Sequence, residues 1–158
     1  TWIERQKAIS LETFKNTERL LYNYNALKDH VENEEEYMGM TKKGKSKSIV
    51  IYSTSCGKER DEEEITQERK ESYLRSKSDV QRIERALNKI KNKKGYEVVK
   101  MRYLQKKEDG TSFTFEEIAE ELAGKYEYGE KLAERTVRTY RSNLVKEVAI
   151  QLFGTDAV

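Results

Sequence analysis

TFEEIAEELAG, residues 114–124, and ERTVRTYRSNLVKEVAIQLFG, residues 134–154, are the two stretches that decide the fold of this chain. In the first stretch, Thr114 and Glu117 have the spacing of a capping box, in which a hydroxyl and a carboxylate each accept a hydrogen bond from a free backbone N–H at the start of a helix. Apolar residues then recur at helical steps, and they are Phe115, Ile118, Ala119 and Leu122. The pattern predicts a short amphipathic helix that is stopped by Gly124.

The second stretch predicts a longer helix that is basic at its start and ends at Gly154. Its inner, apolar stripe consists of Val137, Tyr140, Leu144 and Val148, with Leu152 one turn further. The side chains left outward or at the flank are those of Arg135, Thr136, Arg138, Thr139, Arg141, Ser142 and Asn143. Arginine pairs bidentately with guanine, and small hydroxyls reach phosphate or base edges, so these residue types suit a helix that reads DNA.

The start of this longer helix has two interpretations. Residues 123–134 separate it from the preceding helix, and Ala133 stands at the cap position, where alanine is a poor N-cap. The helix therefore begins either near Arg135 or earlier, near Glu130. In the second case the turn is a short loop from Gly124 to Gly129.

A third helix is expected upstream, in YEVVKMRYLQ, residues 96–105. Its apolar side chains predict a short helix that is buried on more than one side, and they are Val98, Val99, Met101, Tyr103 and Leu104. Residues 106–112, with Asp109 and Gly110, are expected to form a turn. Three such helices are typical of a tri-helical DNA-binding domain. The first two bury the inner stripe of the third, and the N-terminal half of the third enters the major groove.

The N-terminal half is predicted to be helical on both sides of a loop. Residues 2–36 are expected to form one helix, either continuous or broken once, and residues 61–92 are expected to form another that ends at Gly95. Their apolar stripes include Leu21, Tyr24 and Val31 on the first helix, and Val80, Ile83, Leu87 and Ile90 on the second. The two helices are expected to pair as an antiparallel hairpin, and dimerisation through the same surface is the alternative.

Residues 39–58 predict a basic loop, because glycine, serine and lysine dominate them. Within the loop, residues 49–52 are apolar and β-branched, which suits a brief strand or an extended segment. Contacts with DNA phosphates need positive charge and little geometry. The candidates for such contacts are Lys42, Lys43, Lys45 and Lys47 here and Lys146 in the last helix.

Composition points to an all-α chain. There is no proline, and 38% of the residues are charged, drawn largely from strong helix formers. The expected organisation is an N-terminal helical region (1–78), a helix-turn-helix domain (79–154) and a tail (155–158). The single cysteine fits a reducing compartment, and no apolar run approaches the ~20 residues of a membrane span. The sequence thus predicts a cytoplasmic protein without a membrane partner.

No enzymatic chemistry is indicated by the sequence. His30 and Cys56 are the single histidine and the single cysteine, so no metal cluster of the usual spacing and no adjacent nucleophile and base pair occur. No glycine-rich phosphate loop is present either. We therefore expect no catalytic residue, no metal and no cofactor.

FEEIAEEL, followed by ERTVRTYRSNLVKEVAIQLFG, resembles region four of bacterial sigma factors. The combination is most similar to the ArpU-type phage transcriptional regulators, and ALNKI with GYEVVKMRYL resembles the lead-in of the sigma-type domain. The resemblance covers residues 79–154, and Arg135, Thr136 and Arg138 match the start of the family's reading helix. It departs from the family in its longer turn, because sigma-like domains connect their last two helices tightly.

The resemblance implies a cytoplasmic regulator encoded by a phage or prophage, acting on late genes for packaging or lysis. Its ligand would be promoter double-stranded DNA, with host RNA polymerase or a second copy of the chain as further partners. Two other functions remain open at this point: a phage small terminase-like DNA-packaging protein, and a helical adaptor that binds RNA polymerase instead of DNA. The operator sequence, the direction of regulation and the oligomeric state do not follow from the sequence.

Overall fold

The protein is described from a computed structural model that covers residues 9–42, 62–125 and 128–154. These residues contain helices and turns but no strand, which confirms the predicted all-α class. The helices are α1 (Leu11–Lys42), α2 (Glu62–Ile90), α3 (Tyr96–Val99), which continues as a π-helical turn (Lys100–Leu104), α4 (Phe115–Leu122) and α5 (Glu134–Phe153).

The chain divides into two compact units whose boundaries cross both long helices. The first unit comprises residues Thr1–Tyr24 and Arg82–Val158, and the second comprises Asn25–Gln81. The sequence instead predicts a domain boundary after Ser78, with all of residues 1–78 in the N-terminal region. The difference is that the start of α1 belongs with the C-terminal helices.

Helix α1 begins at a cap that Ser10 supplies and runs without a break to Lys42. The Ser10 hydroxyl accepts a hydrogen bond from the Thr13 backbone N–H at 3.1 Å. The expectation that a loop begins at residue 39 is therefore wrong for residues 39–42, which are helical. A glycine within a helix costs only about 1 kcal/mol relative to alanine, so Gly39 does not have to end it. The remainder of the predicted basic loop, including the apolar run 49–52, lies outside the described residues.

The first unit has a core that the three C-terminal helices share. Its buried members are Val98, Met101, Ile118, Ala119, Leu122, Tyr128 and Val137. Phe113, Phe115, Leu132 and Tyr140 pack against them from the partly buried shell. The predicted inner stripes of α3, α4 and α5 thus meet, because each helix has an apolar face that only its neighbours can remove from water.

The first turns of α1 also pack within this unit. The ring of Tyr22 contacts that of Tyr103 edge-on, with 4.7 Å between their centroids. The Tyr103 hydroxyl donates to Glu18 Oε2 at 2.7 Å. Burial, followed by the Glu18 carboxylate, raises the pKa of Tyr103 far above its ordinary value, so this phenol stays protonated and keeps donating.

In the second unit, α1 and α2 contact each other through charged and aromatic side chains. The Arg69 guanidinium forms a two-point ion pair with Glu34, with N–O distances of 2.8 and 2.9 Å, and stacks over the Tyr37 ring. One turn further along α2, the Tyr73 hydroxyl donates to Glu35 Oε1 at 2.7 Å. The Arg69 hydrogen bond holds the pKa of Glu34 below its ordinary value. These contacts suit the hairpin prediction, which as a whole extends over both units and stays a prediction.

Candidate nucleic-acid interface

Helix α5 is fixed along one side and exposed along the other. Its buried side chains are Val137, Leu144, Val145, Val148, Ala149 and Leu152, which include three of the four residues of the predicted inner stripe. At its C-terminus the Arg82 guanidinium donates to the carbonyl of Leu152, where a cation also suits the negative end of the helix. The helix ends at Gly154, as predicted.

The N-terminus of α5 lies at Glu134, which confirms a start near Arg135. The alternative start near Glu130 is wrong, because residues 130–133 are not helical. Ala133 is the N-cap, with extended backbone angles (φ −77°, ψ 144°) and no side-chain hydrogen bond to the first turn. The free N–H groups at this end therefore have no cap from Ala133, and they open toward solvent beside exposed Arg135 and Thr136.

Replacing Ala133 by serine is expected to raise the free energy of unfolding by about 1 kcal/mol, because a serine hydroxyl in this conformation accepts from the second or third N–H of the helix. Chemical denaturation followed by circular dichroism measures the change. Ala26→Ser is the matched control, since Ala26 is exposed within α1 and serine there lowers helix propensity. Stabilisation of similar size in both variants would contradict the capping argument.

The long connection between α4 and α5 is anchored by Tyr128. Its hydroxyl accepts from the backbone N–H of Gly95 at 3.1 Å and donates to Glu97 Oε2. Its ring meets that of Tyr140 on α5 edge-on, with the centroids 5.9 Å apart. The backbone N–H of Gly124 donates to the carbonyl of Gly129 at 2.6 Å, which closes the loop on itself. A buried aromatic side chain thus takes the place of a tight turn in holding α5 against the other helices.

Helix α4, which precedes this loop, is held by the predicted capping box. Thr114 Oγ1 accepts from the Glu117 N–H, and Glu117 Oε1 accepts from the Thr114 N–H, both at 3.2 Å. Lys107 Nζ lies 2.6 Å from the same carboxylate. The Lys107 hydrogen bond, followed by that of the Thr114 backbone, holds the pKa of Glu117 below its ordinary value. The box is therefore intact at neutral pH.

Four polar side chains near the start of α5 form one exposed face, which we call the reading face. They are Arg135, Thr136, Thr139 and Asn143, all exposed to solvent. The spacing of four residues between Arg135 and Thr139, and again between Thr139 and Asn143, aligns them along the helix. Among the described residues, the Arg135 guanidinium forms no ion pair, and only its backbone carbonyl is engaged, by the Thr139 hydroxyl at 3.0 Å. Arg135 is thus available to a ligand.

Arg138 is exposed but lies to one side of the reading face, next to α4. Its Nη2 lies 2.6 Å from Glu134 Oε1, one turn earlier, and its guanidinium lies 5.2 Å from the centre of the Phe115 ring. An exposed ion pair of this kind contributes little to stability and exchanges readily with water. Glu134 therefore competes with a ligand for Arg138, although it contacts only one nitrogen of the guanidinium.

Arg141 points away from the reading face and into the first unit. Its side chain is about 20% exposed, and its Nη1 contacts Glu18 Oε2 at 3.2 Å. Its guanidinium also lies 4.9 Å from the centre of the Phe115 ring and 5.4 Å from that of Phe14. Of the three arginines predicted to contact DNA, Arg141 is the one whose side chain is mostly buried and paired with a residue of α1. Arg141 takes this position because its ion pair with Glu18 connects α5 to the start of α1.

The remaining predicted contact residues are partly covered or not described. Ser142 and Lys146 are half-buried on α5, on the turns that continue the reading face. Lys42 ends α1, and its side chain lies outside the described part of the structure, as do Lys43, Lys45 and Lys47. Their assignment to phosphate contacts stays a prediction.

Sequence reasoning missed an arginine cluster around Phe115. The guanidinium of Arg102 lies 4.6 Å from the centre of this ring, so that three arginines, Arg102, Arg138 and Arg141, surround one partly buried aromatic side chain. Arg102 is further fixed by donating to the Phe113 carbonyl at 2.7 Å. These contacts are cation–π interactions, each about 0.5–2 kcal/mol. The cluster connects α3, α4 and α5. The spacing of residues in the sequence does not predict it, because its members come from three different helices.

Neither a metal site nor a membrane span occurs in the part of the chain that the structure describes. Groups of three or more metal-ligating side chains are absent there. No helix among the described residues combines the length and the apolar character that crossing a membrane requires.

Comparison with known proteins assigns no family or function to this chain. No protein-family model, no curated protein and no solved structure matches the chain. The resemblance to sigma region four and to ArpU-type regulators thus stays a prediction carried by the sequence motifs of α3, α4 and α5.

Proposed function

We propose that the chain is a sequence-specific, double-stranded DNA-binding regulator of transcription that inserts the start of α5 into the major groove. The observation that carries the proposal is the reading face: Arg135, Thr136, Thr139 and Asn143 are all exposed on a helix whose opposite side is buried. The major groove admits one α-helix, and arginine and asparagine are the side chains that pair bidentately with guanine and adenine.

The arrangement also meets the mechanical requirement of such a reader. Residues that contact base edges have to be held by a rigid scaffold. Otherwise the entropy lost when the helix becomes ordered on binding offsets part of the binding free energy. Here α5 is fixed by the shared core, by Tyr128 in the connection before it, and by the Phe115 arginine cluster. No enzymatic role is part of the proposal, because Arg and Thr on an open helix face offer no nucleophile with an adjacent base.

The finer assignment follows the sequence resemblance. We propose an ArpU-type regulator, encoded by a phage or prophage and acting in the cytoplasm of the bacterial host on late genes for packaging or lysis. Host RNA polymerase and a second copy of the chain are its proposed protein partners. A homodimer would place two reading helices one DNA turn apart, which sets a half-site spacing of about 10–10.5 base pairs.

Selection of bound duplexes from a random pool, with the mass of the complex measured in the same sample, tests the proposal. We expect one sequence to be enriched and bound at least about a thousandfold more tightly than random duplex at the same salt concentration. The mass then distinguishes a monomer on one site from a dimer on paired half-sites.

Two results would overturn this function. A large ring of subunits that retains DNA without sequence preference would indicate a small terminase-like packaging protein. Failure to retain any duplex at 100 mM salt, together with binding of purified RNA polymerase, would indicate an adaptor. Both results come from the same protein preparation, so they are directly comparable with the expected one.

A further inference from the structure

A cavity of about 260 Å³ lies between the turn that follows α2 and the exposed side of α5. Lys93 and Lys94 line it from the turn, and Asn143, Lys146 and Glu147 line it from the helix. Its apolar wall includes Tyr140 and Leu144. The turn keeps its position through the backbone N–H of Lys93, which donates to the carbonyl of Ile90 at 2.9 Å. The two lysines are therefore carried by a defined segment.

The cavity carries a surplus of positive charge. Three lysines face one carboxylate, and that carboxylate, of Glu147, pairs with Lys93 through an Nζ–Oε2 distance of 2.5 Å. Both partners are exposed, with 51% and 39% of their side-chain surface accessible, so the pair is readily opened. Among the described residues, Lys94 and Lys146 form no ion pair. The site therefore attracts an anion.

The cavity is continuous with the reading face. Asn143 belongs to both, and Lys146 lies one turn beyond it along α5. A ligand that covers Thr139 and Asn143 and extends toward the C-terminus of α5 therefore reaches the lysines of the turn. Continuity of this kind suits a long polyanion that crosses the helix. A short acidic peptide would match the charge of the cavity, but binding it would not require the cavity to be continuous with the reading face at Asn143.

We propose that Lys93 and Lys94 contact phosphates of the duplex that α5 reads, and that one strand of its backbone passes over this cavity alongside Lys146. The inference rests on the proposed function, which it deepens by naming the path of the DNA. Backbone contacts fix the register of a reading helix without carrying sequence information. Each lysine on a phosphate releases counterions, so it adds about 0.9 to the slope of log K against log salt concentration.

The test measures binding of a mixed-sequence 20-base-pair duplex to the full chain at salt concentrations from 50 to 200 mM. For Lys93→Ala/Lys94→Ala we expect this slope to be shallower by about 1.8 than that of the unchanged protein. Over this fourfold range of salt, the variant then loses about twelvefold less affinity than the unchanged protein. Glu147→Gln is expected to change affinity in the opposite direction and tighten binding, because it removes the carboxylate that neutralises Lys93.

Lys28→Ala/Lys70→Ala is the matched control, with the same loss of charge at exposed lysines that do not line the cavity. Circular dichroism spectra check that every variant is folded. Equal slopes for the cavity variant and the unchanged protein, or an equal reduction in the control variant, would overturn the inference while leaving DNA binding in place. Failure of the unchanged protein to bind the duplex even at 50 mM salt would instead count against the proposed function.

Discussion

Replacing Gly95 by alanine is expected to lower the free energy of unfolding by about 2–5 kcal/mol. Gly95 has a φ of +96°, in the left-handed region, where a residue with a Cβ costs about 1–2 kcal/mol. A Cβ built there would also lie 2.8 Å from the Cβ, Cγ and Cδ1 atoms of Tyr140. Tyr140 packs against the ring of Tyr128, so it cannot move away freely. Overpacking of this kind costs about 1–3 kcal/mol more.

Gly110→Ala separates the two causes of this loss. Gly110 has a similar φ of +84°, but a Cβ there would have no heavy atom within 4 Å. We therefore expect it to show the conformational cost alone, about 1–2 kcal/mol. Chemical denaturation of both variants, fitted with a common slope, gives the difference. Equal destabilisation of the two would show that Tyr140 yields, and that the contact between the turn and α5 is not what positions the helix.

Replacing both Arg135 and Arg138 by alanine is expected to weaken binding of the selected duplex by about 2–4 kcal/mol, which is roughly 30- to 1,000-fold. The larger part should come from Arg135, whose guanidinium is exposed on the reading face and forms no ion pair among the described residues. The binding of Arg138 to DNA competes with its ion pair to Glu134, whose N–O distance is 2.6 Å. Its single variant should therefore show the smaller loss.

Arg19→Ala/Arg85→Ala is the matched control, because both arginines are exposed within the first unit and the loss of charge is the same. Fluorescence anisotropy on the selected duplex and on single-base variants of it measures the effects. A loss confined to one base position indicates contact with a base edge, and a uniform loss indicates contact with phosphate. Binding that the Arg135/Arg138 double variant leaves unchanged would refute the assignment of the reading face.

The local elements of the C-terminal half could be predicted because each has its own chemical signal. The capping box at Thr114 and Glu117 and the end of α5 at Gly154 depend on neighbours within a few residues. The start of α5 has no such signal, because Ala133 offers no side-chain cap, and only the structure decides between its two interpretations. The end of the first long helix could not be placed in this way. Gly39 predicts the start of a loop, but a single glycine is a weak signal, because the adjoining helical residues can offset its cost.

For the candidate site, the sequence predicts only which residues of α5 face inward and which face outward. Periodicity places Val137 and Leu144 inward and therefore leaves Arg135, Thr136 and Thr139 outward. It does not distinguish residues at the flanks, where the neighbouring helices decide. Arg141, one residue from Tyr140, is drawn to Glu18, more than a hundred residues earlier in the chain.

The sequence by itself determined the helical class, the register of α5 and the residue types on its outer face, because capping and amphipathic spacing are local properties. Tertiary structure alone decided how that helix is held. The contact of Gly95 with Tyr140, the anchoring of the loop by Tyr128 and the arginines around Phe115 join segments that are distant in the chain. Such contacts depend on where separate helices meet when they bury their apolar faces, and no local pattern of residues records that position.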